Sequence, residues 1–314
     1  MDAAELIDGV LSGDRRAVAR AISAVEDGAP ELEQLSSGIY ASTGRAATIG
    51  ITGAPGVGKS TLAGELVRLA RERDLSVAVL AVDPTSPYTG GALLGDRVRM
   101  QEHATDPRVF IRSMATRGHL GGMSLAAPEA VRILDAAGYA RVVVETVGVG
   151  QAEVEVVAAT DTAVVVLAPG LGDAVQMAKA GILEAADVFV VNKADKEGAS
   201  EVVRELRQML HLGAARDWDP PVLAVSARLR DGVDGVWEAI EEHRRHMEAS
   251  GELAVRRRAR LLHEVESLAA ERFRQEASLV LATDPSLVES LEARRLDPYR
   301  AAAMLVREAA AAPE

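Results

Sequence analysis

Seven short, strongly apolar runs lie between residues 47 and 226, and stretches with a helix-like spacing of apolar positions separate them. Most of these runs are apolar throughout and do not alternate with polar positions. Because strands that are covered by helices on both faces have no polar face, the pattern predicts a mainly parallel sheet in an α/β, doubly wound fold. The predicted strands are residues 47–52, 77–82, 109–112, 142–145, 163–168, 188–192 and 222–226.

Both ends of the chain have the apolar spacing of amphipathic helices. We predict an N-terminal helical segment over residues 1–45, a central α/β domain over 46–247 and a C-terminal helical arm over 248–314. The arm carries an apolar stripe that must pack against something, either the same subunit or a second copy. The residues of the stripe are Leu261, Leu262, Val265, Leu268, Ala269 and Phe273.

Composition and charge narrow the classes of partner. The 314 residues are 48% hydrophobic, and the formal net charge is −12 with an isoelectric point near 5.1. A broad contact with nucleic acid or with an anionic membrane needs a basic face, so neither partner is expected. The chain has no cysteine, and its acidic start and short apolar runs match neither a signal peptide nor a membrane span. We therefore expect a cytoplasmic protein.

A phosphate-binding loop is predicted between the first strand and the helix after it. The pattern G-x-x-x-x-G-K-[ST] is met by Gly53, Gly58, Lys59 and Ser60. In such a loop the backbone N–H groups surround a β-phosphate, the lysine bridges the β- and γ-phosphates, and the hydroxyl binds Mg²⁺. The residues predicted to contact the nucleotide here are Gly53, Ala54, Pro55, Gly56, Val57, Gly58, Lys59, Ser60 and Thr61.

A base-recognition element follows the sixth predicted strand. Asn192, Lys193 and Asp195 form the pattern N-K-x-D. The aspartate would accept from the ring N–H and the exocyclic amino group of guanine, whereas adenine would leave the carboxylate unpaired. Guanine is therefore the predicted base. A further element at the end of the last strand, resembling S-A-K and expected to contact the base through backbone amides, consists of Ser226, Ala227 and Arg228.

Three acidic residues lie between the two elements. Asp83 and Glu145 stand at predicted strand ends, and Asp96 lies in the string G-G-A-L-L-G-D-R. Carboxylates at the carboxyl ends of parallel strands face the ligand crevice, so each is a candidate to hold Mg²⁺ directly or through water. With Lys59 they are the candidate catalytic residues, although each acid also has the alternative role of a plain turn or capping residue. Gly148 stands where the glycine of a D-x-x-G switch would contact the γ-phosphate.

The strings around these residues resemble the MeaB/ArgK family of P-loop GTPases, which have the SIMIBI type of fold. The resemblance runs from about residue 40 to 245 and rests on V-D-P-T-S-P, G-D-R-x-R-M, V-E-T-V-G-V-G-Q-A-E and N-K-A-D, in that order. It implies the same phosphate, metal and base residues as those above. It also implies switch or partner-responsive residues, which are Gln151, Asp173 and Lys179.

The resemblance implies a GTPase chaperone that associates with adenosylcobalamin-dependent methylmalonyl-CoA mutase, gates its cofactor loading and protects it. GTP and GDP are then the ligands, Mg²⁺ is the cofactor, and the arm forms a homodimer. Cobalamin is expected to belong to the partner, because Arg117 stands where a D-x-H-x-x-G cobalamin motif would have aspartate, two residues before His119.

Two alternatives stay open: a metallochaperone-type GTPase for another metalloenzyme, and an ArgK-like nucleotide-dependent kinase. The six scattered histidines offer no convincing metal site without cysteine. His243 and His246 share a helix face at i and i+3 and are interpreted as exposed, solvated residues. The sequence has no distinct element for a phosphate acceptor.

Hydrolysis without a partner is expected to be slow. In Ras-like GTPases a glutamine directly after D-x-x-G positions the attacking water. Here Val149 follows Gly148, and the nearest side-chain amide is that of Gln151. Three nearby arginines, interpreted as surface residues and not as arginine fingers, are Arg97, Arg112 and Arg117.

Overall fold

The computed structural model describes residues 2–83, 103, 105–115, 123–146, 159–170, 186–212 and 217–311. Its strands are β1 (Ala47–Thr52), β2 (Val77–Asp83), β3 (Val109–Ala115), β4 (Arg141–Thr146), β5 (Thr162–Leu167), β6 (Val188–Val191) and β7 (Val222–Ala224). They form one sheet in the order β3-β2-β4-β1-β5-β6-β7, and every neighbouring pair is parallel. The predicted α/β fold and all seven predicted strands are confirmed.

Helices connect the strands and extend both ends of the chain, as predicted. Those in the described residues are α1 (Ala3–Leu11), α2 (Arg15–Asp27), α3 (Leu32–Tyr40), α4 (Lys59–Glu72), α5 (Met123–Ala136), α6 (Ala199–Leu212), α7 (Val233–Ser250), α8 (Glu252–Thr283), α9 (Pro285–Glu292) and α10 (Pro298–Ala311). A 3₁₀ helix spans Ala227–Leu229. Within the described ranges, no helix is both long enough and apolar enough to cross a membrane.

Successive residues of a strand enter two different cores, one on each face of the sheet. In β2, Ala78 and Leu80 belong to the core that α1, α2, α3 and α5 cover, whereas Val77 and Val79 belong to the core that α4 and α7 cover. Because helices cover both faces, the strands need no polar face. This is the physical reason for the continuous apolar runs in the sequence.

The N-terminal helices are part of the first core. Ile22 of α2 and Leu35 of α3 are fully buried there. At the edge of the sheet, the Arg112 guanidinium on β3 donates to the Ser23 hydroxyl at 2.9 Å and also pairs with Glu26 of α2. The interpretation of Arg112 as a surface residue is wrong, since its side chain is only 17% exposed and it holds α2 to the sheet.

The chain forms two compact units, Met1–Arg258 and Ala259–Glu314. The second unit has a small core of its own around Leu287, Ala301 and Leu305. Leu262 and Val265 of the predicted stripe are 53% and 56% exposed. The boundaries at 45/46 and 247/248 stay predictions.

Two buried carboxylates anchor the beginning of α8 at the amino edge of the sheet. Arg257 binds Asp161, the residue before β5, with Nε–Oδ1 and Nη2–Oδ2 distances of 3.0 and 2.6 Å. Arg256 binds Asp187, the residue before β6, with Nη1–Oδ2 and Nη2–Oδ1 distances of 2.9 and 3.1 Å. Asp187 also accepts the backbone N–H of Ala163 at 2.8 Å. The Arg-rich beginning of α8 is thus bound to the two strands by bidentate, charge-assisted hydrogen bonds.

His243 lies within this group, and the prediction that it is exposed is wrong. Its side chain is fully buried, with Nδ1 2.9 Å from the Thr162 hydroxyl and Nε2 3.3 Å from Asp187 Oδ1. Burial alone would raise the pKa of Asp187, but hydrogen bonds from His243 and Arg256 outweigh it and hold the pKa below its usual value. The helical spacing of His243 could not indicate this, because the contact comes from strands that are distant in sequence.

Candidate nucleotide site

The phosphate loop leaves the carboxyl end of β1 and ends where α4 begins at Lys59. Gly53 has a φ of 145°, and a Cβ at this position would lie 2.1 Å from the carbonyl oxygen of Val166 in β5. A residue with a side chain would therefore have to displace the neighbouring strand. The first glycine of the motif thus allows the loop to turn against β5.

Lys59 is buried at the first position of α4, and its side chain turns back over the loop. Its Nζ donates to the carbonyl oxygens of Gly53 at 2.6 Å and Ala54 at 3.2 Å. The ammonium group therefore lies beside the loop and near the positive end of α4. A concentrated positive field of this kind suits a phosphate group.

Ser60 and Glu145 connect the beginning of α4 to the end of β4. The Ser60 hydroxyl donates to Glu145 Oε1 at 2.6 Å, and Glu145 is only 1% exposed. At the neighbouring position, the Thr146 hydroxyl lies 3.2 Å from the Thr52 hydroxyl at the end of β1. Two residues predicted as Mg²⁺ ligands from separate parts of the sequence thus meet at the carboxyl edge of the sheet.

Asn192 is buried between the phosphate loop and the base-recognition segments. Its Nδ2 donates to the Val57 carbonyl oxygen at 2.8 Å. Its Oδ1 accepts from the backbone N–H groups of Lys193 at 2.8 Å and Ala227 at 3.0 Å. A Cβ at Gly58 would lie 2.3 Å from Asn192 Nδ2, so the close approach of loop and amide requires glycine there. These contacts join three segments, and they assign Asn192 a positioning role.

Lys193 has a left-handed backbone, with a φ of 58°, and its Nζ donates to the Gly56 carbonyl oxygen at 2.6 Å. Its side chain therefore runs across the space between the base-recognition element and the phosphate loop. A left-handed backbone costs free energy in a residue with a side chain, and it persists where surrounding contacts hold the residue in place.

Asp195 is exposed, and the Ser226 hydroxyl donates to its Oδ1 at 2.6 Å. This hydrogen bond is the main reason why the pKa of Asp195 lies below its usual value. The carboxyl group is therefore ionised near neutral pH and acts only as an acceptor. The structure brings together the two elements N-K-x-D and S-A-R, which are separated in the sequence by 30 residues, from Lys196 to Val225.

Several predicted residues lie outside the described part of the chain. They are Asp96, Gly148, Gln151, Asp173 and Lys179. The side chain of Asp83 also lies outside the described part. Their proposed roles continue to rest on the sequence.

Some contacts of the site were not indicated by any motif. Glu65 of α4 accepts from Arg230, which follows the 3₁₀ helix. At the opposite edge of the sheet, the Asp161 and Asp187 anchors were missed as well. Complementary charges supplied a weak signal, because each aspartate directly precedes an apolar strand and Arg256 and Arg257 begin a long helix. Sequence spacing could not show which acids and arginines would pair.

A parallel sheet whose first strand leads into a G-x-x-x-x-G-K-S loop, with N-K-x-D after a later strand, defines a P-loop GTPase. The chain matches the family model described as methylmalonyl Co-A mutase-associated GTPase MeaB over residues 18–281. It belongs to the MeaB family. It therefore binds guanine nucleotides and hydrolyses GTP.

Similar proteins extend over most of the chain. A protein of Pyrococcus abyssi that is named as a GTPase is 47% identical over 310 residues, which are 97% of this chain and 96% of the relative. The Escherichia coli GTPase ArgK is 39% identical over 259 residues, which are 80% of this chain and 78% of the relative. The mitochondrial methylmalonic aciduria type A homolog of mouse is 33% identical over 325 residues, covering 96% of this chain and 78% of the relative.

A solved structure supports the fold over nearly the full length. The crystal structure of a LAO/AO transport system kinase aligns with a TM-score of 0.69 and 27% identity, covering 97% of this chain and 96% of that chain.

Proposed function

We propose that this GTPase is a chaperone that binds adenosylcobalamin-dependent methylmalonyl-CoA mutase, gates the loading of its cofactor and protects it. The family description names association with this mutase, and the name of the mouse relative refers to methylmalonic aciduria. Such a chaperone would need a switch that responds to the bound nucleotide. The observation that supports this switch is the 2.6 Å hydrogen bond between Ser60 and Glu145. It couples the phosphate-loop helix to β4, whose last three residues begin the V-E-T-V-G-V-G-Q string.

The nucleotide is proposed to lie across the carboxyl edge of the sheet. Its phosphates would contact residues 53–61, with the ammonium group of Lys59 beside them. Its base would lie along the stem of Lys193 with its Watson–Crick edge toward Asp195, and the backbone of residues 226–228 would contact the same edge. This placement agrees with the rule that ligands bind outside the carboxyl ends of the strands in open α/β sheets.

The residues around Ser60 fit Mg²⁺. A hydroxyl and a carboxylate are the hard oxygen donors that this ion prefers, and they already lie within 2.6 Å of one another. We infer that Ser60 and Glu145 hold Mg²⁺ directly or through water, with Asp83 and Asp96 as the further candidates. When bound, the ion would neutralise charge on the β- and γ-phosphates. Lys59 would orient the same phosphates, and Glu145 would keep the Ser60 hydroxyl oriented.

Replacing Glu145 by glutamine is expected to weaken the effect of Mg²⁺ on GTP binding by about 10- to 100-fold. The amide oxygen can still accept from the Ser60 hydroxyl, so the local structure is retained, but the negative charge is lost. Titrations of GTP with and without Mg²⁺ measure the effect, and Glu201→Gln on the exposed face of α6 is the matched control. An unchanged Mg²⁺ dependence in Glu145→Gln would contradict the assignment.

Hydrolysis by the isolated protein is expected to be slow and to accelerate at least about tenfold when the mutase binds, because a bound partner can order the switch residues. Single-turnover GTP hydrolysis with and without methylmalonyl-CoA mutase measures the rates. Calorimetry in the GDP state and in a GTP-analogue state measures the binding. Fast hydrolysis by the protein alone would contradict the switch proposal, and absence of binding in both states would contradict the chaperone role while leaving the GTPase intact.

The C-terminal arm is proposed to form a homodimer. The exposed apolar residues of the second unit support this, since they would be covered by a second copy of the chain. On α8 they include Leu262, Val265 and Leu279 at 53%, 56% and 64% exposure, and Tyr299 of α10 is 89% exposed. A single exposed apolar residue is common on protein surfaces, whereas several of them together mark an interaction surface.

A further inference from the structure

The segment after β7 is a small closed loop. The backbone N–H of Ser226 donates to the Asp231 carbonyl oxygen at 2.9 Å, and the N–H of Asp231 donates to the Ser226 carbonyl oxygen at 3.1 Å. The 3₁₀ helix Ala227–Leu229 lies between these two residues. On one side, the loop is held by the hydrogen bond from the Ala227 N–H to Asn192. The Ser226 hydroxyl also donates to Asp195 Oδ1 at 2.6 Å, so both contacts hold the loop to the base-recognition element.

Arg230 attaches the loop on its other side, to the helix of the phosphate loop. Its Nε donates to Glu65 Oε1 on α4 at 3.0 Å. The other carboxylate oxygen of Glu65 accepts from Arg68 Nε at 2.7 Å. The Glu65 side chain is only 13% exposed, so its orientation is determined before Arg230 binds it. The loop is therefore joined to the base segment by Ala227 and to the phosphate segment by Arg230.

Arg230 ends the 3₁₀ helix with a left-handed backbone, a geometry that is common at helix ends and most often carried by glycine. Its φ and ψ are 60° and 23°, in the left-handed region that disfavours residues with a Cβ. Glycine would adopt this conformation most easily, yet the position holds an arginine whose side chain reaches α4. A disfavoured backbone persists where surrounding contacts determine it, and such positions are concentrated at functional sites.

We propose that Arg230 is a positioning residue for guanine. By binding Glu65, it holds the loop of residues 226–231 against α4, so that the backbone of residues 226–228 stays aligned with the 6-oxygen edge of the base. The inference rests on the proposed guanine site and deepens it. Arg230 acts through the loop and makes no contact of its own with the reacting phosphates.

The test compares three nucleotides that differ at the base edge. GDP has the 6-oxygen, the N1 hydrogen and the 2-amino group, inosine diphosphate lacks only the 2-amino group, and 2-aminopurine riboside diphosphate lacks the 6-oxygen together with the N1 hydrogen. Arg230→Ala is expected to weaken GDP and inosine diphosphate equally, by about two- to fivefold, because an ion pair whose arginine is 55% exposed contributes modestly. The affinity for the 2-aminopurine nucleotide should stay at the wild-type value. A structural defect would weaken all three nucleotides alike and would overturn the proposal.

Further variants separate the side chain from the backbone. Arg230→Gly removes the guanidinium but relieves the left-handed conformation, and we expect it to lose GDP affinity as Arg230→Ala does; wild-type affinity in Arg230→Gly would overturn the proposal. Glu65→Ala should cause the same selective loss, and the double variant should be no weaker than either single one. Additive losses would contradict action through Glu65. Arg204→Ala, which removes an exposed arginine paired with Glu201 on α6, is the control.

Asp195→Asn, measured in parallel, distinguishes failure of this inference from failure of the proposed site. Unchanged GDP affinity in Asp195→Asn would contradict the guanine site itself and with it the role of Arg230. A large loss in Asp195→Asn together with wild-type affinity in Arg230→Ala would contradict the role of Arg230 alone.

Discussion

Asp195→Asn is expected to change the base preference from guanine to xanthine and to weaken GDP binding by about 100-fold or more. The wild-type carboxylate would accept from two donors of guanine, and an amide would present its own N–H group to one of them. Each unmatched polar group costs about 1–3 kcal/mol, so two weakened contacts account for a change of this size. Xanthine carries an oxygen in place of the amino group and would accept from the new amide.

Titrations with GDP and xanthosine diphosphate measure this change. Asp219→Asn is the matched control, because Asp219 is exposed and lies in the segment before β7. A loss of GDP affinity without a gain for the xanthine nucleotide would mean that Asp195 does not read the base. The Ser226 hydroxyl lowers the pKa of Asp195, so the wild-type carboxylate should keep its acceptor role as the pH falls through the usual range of aspartate.

Asp187→Ala is expected to lower the free energy of unfolding by about 3 kcal/mol. Removing one partner of a buried ion pair costs about 3–5 kcal/mol, and the lower end applies because the Arg256 side chain is 31% exposed. The substitution also leaves the Ala163 N–H and the buried His243 without their carboxylate acceptor. Chemical unfolding monitored by circular dichroism measures the change, with Asp219→Asn as the control. Wild-type stability in Asp187→Ala would contradict the anchor.

The pH dependence of this contribution has a defined sign. The folded state holds the pKa of Asp187 below the value of about 3.9 that an unfolded chain has. A lowered pKa stabilises the fold above the unfolded pKa, and the contribution is lost as the pH falls through the folded pKa. The difference in stability between wild type and Asp187→Asn should therefore be constant near neutral pH and shrink below about pH 4. A difference that grew with acidity would contradict this sign.

The nucleotide site could be predicted from the sequence, whereas the anchor at the beginning of α8 could not. All seven strands were predicted, because burial on both faces leaves a continuous apolar signature in each one. The phosphate loop and N-K-x-D were also located, since their chemistry needs specific residue types at fixed spacing. Their assembly was expected from a general property of parallel sheets, whose carboxyl ends meet at one edge. The hydrogen bond between Ser60 and Glu145 agrees with that expectation.

The contacts that hold these motifs in place could not be predicted in the same way. His243 was interpreted as a solvated residue because its position on a helix gives no information about the carboxylate before β6. Arg112 was interpreted as a surface residue for the same reason, since its partners lie on α2. No motif indicates a role for Arg230, because one arginine near a strand end resembles many others. In each case the partner is distant in sequence and has no fixed spacing from the residue it binds.

The sequence alone therefore determined the fold class, the GTPase motifs and the family resemblance, because periodicity and motif spacing are local properties of the chain. Only the tertiary structure decided that Asn192 joins the phosphate loop to the base-recognition segments, that Arg230 reaches Glu65, and that Asp161 and Asp187 anchor the beginning of α8. The physical reason is that charged and polar groups pair by proximity and burial. Proximity between distant segments exists only once the sheet has assembled and its helices have packed.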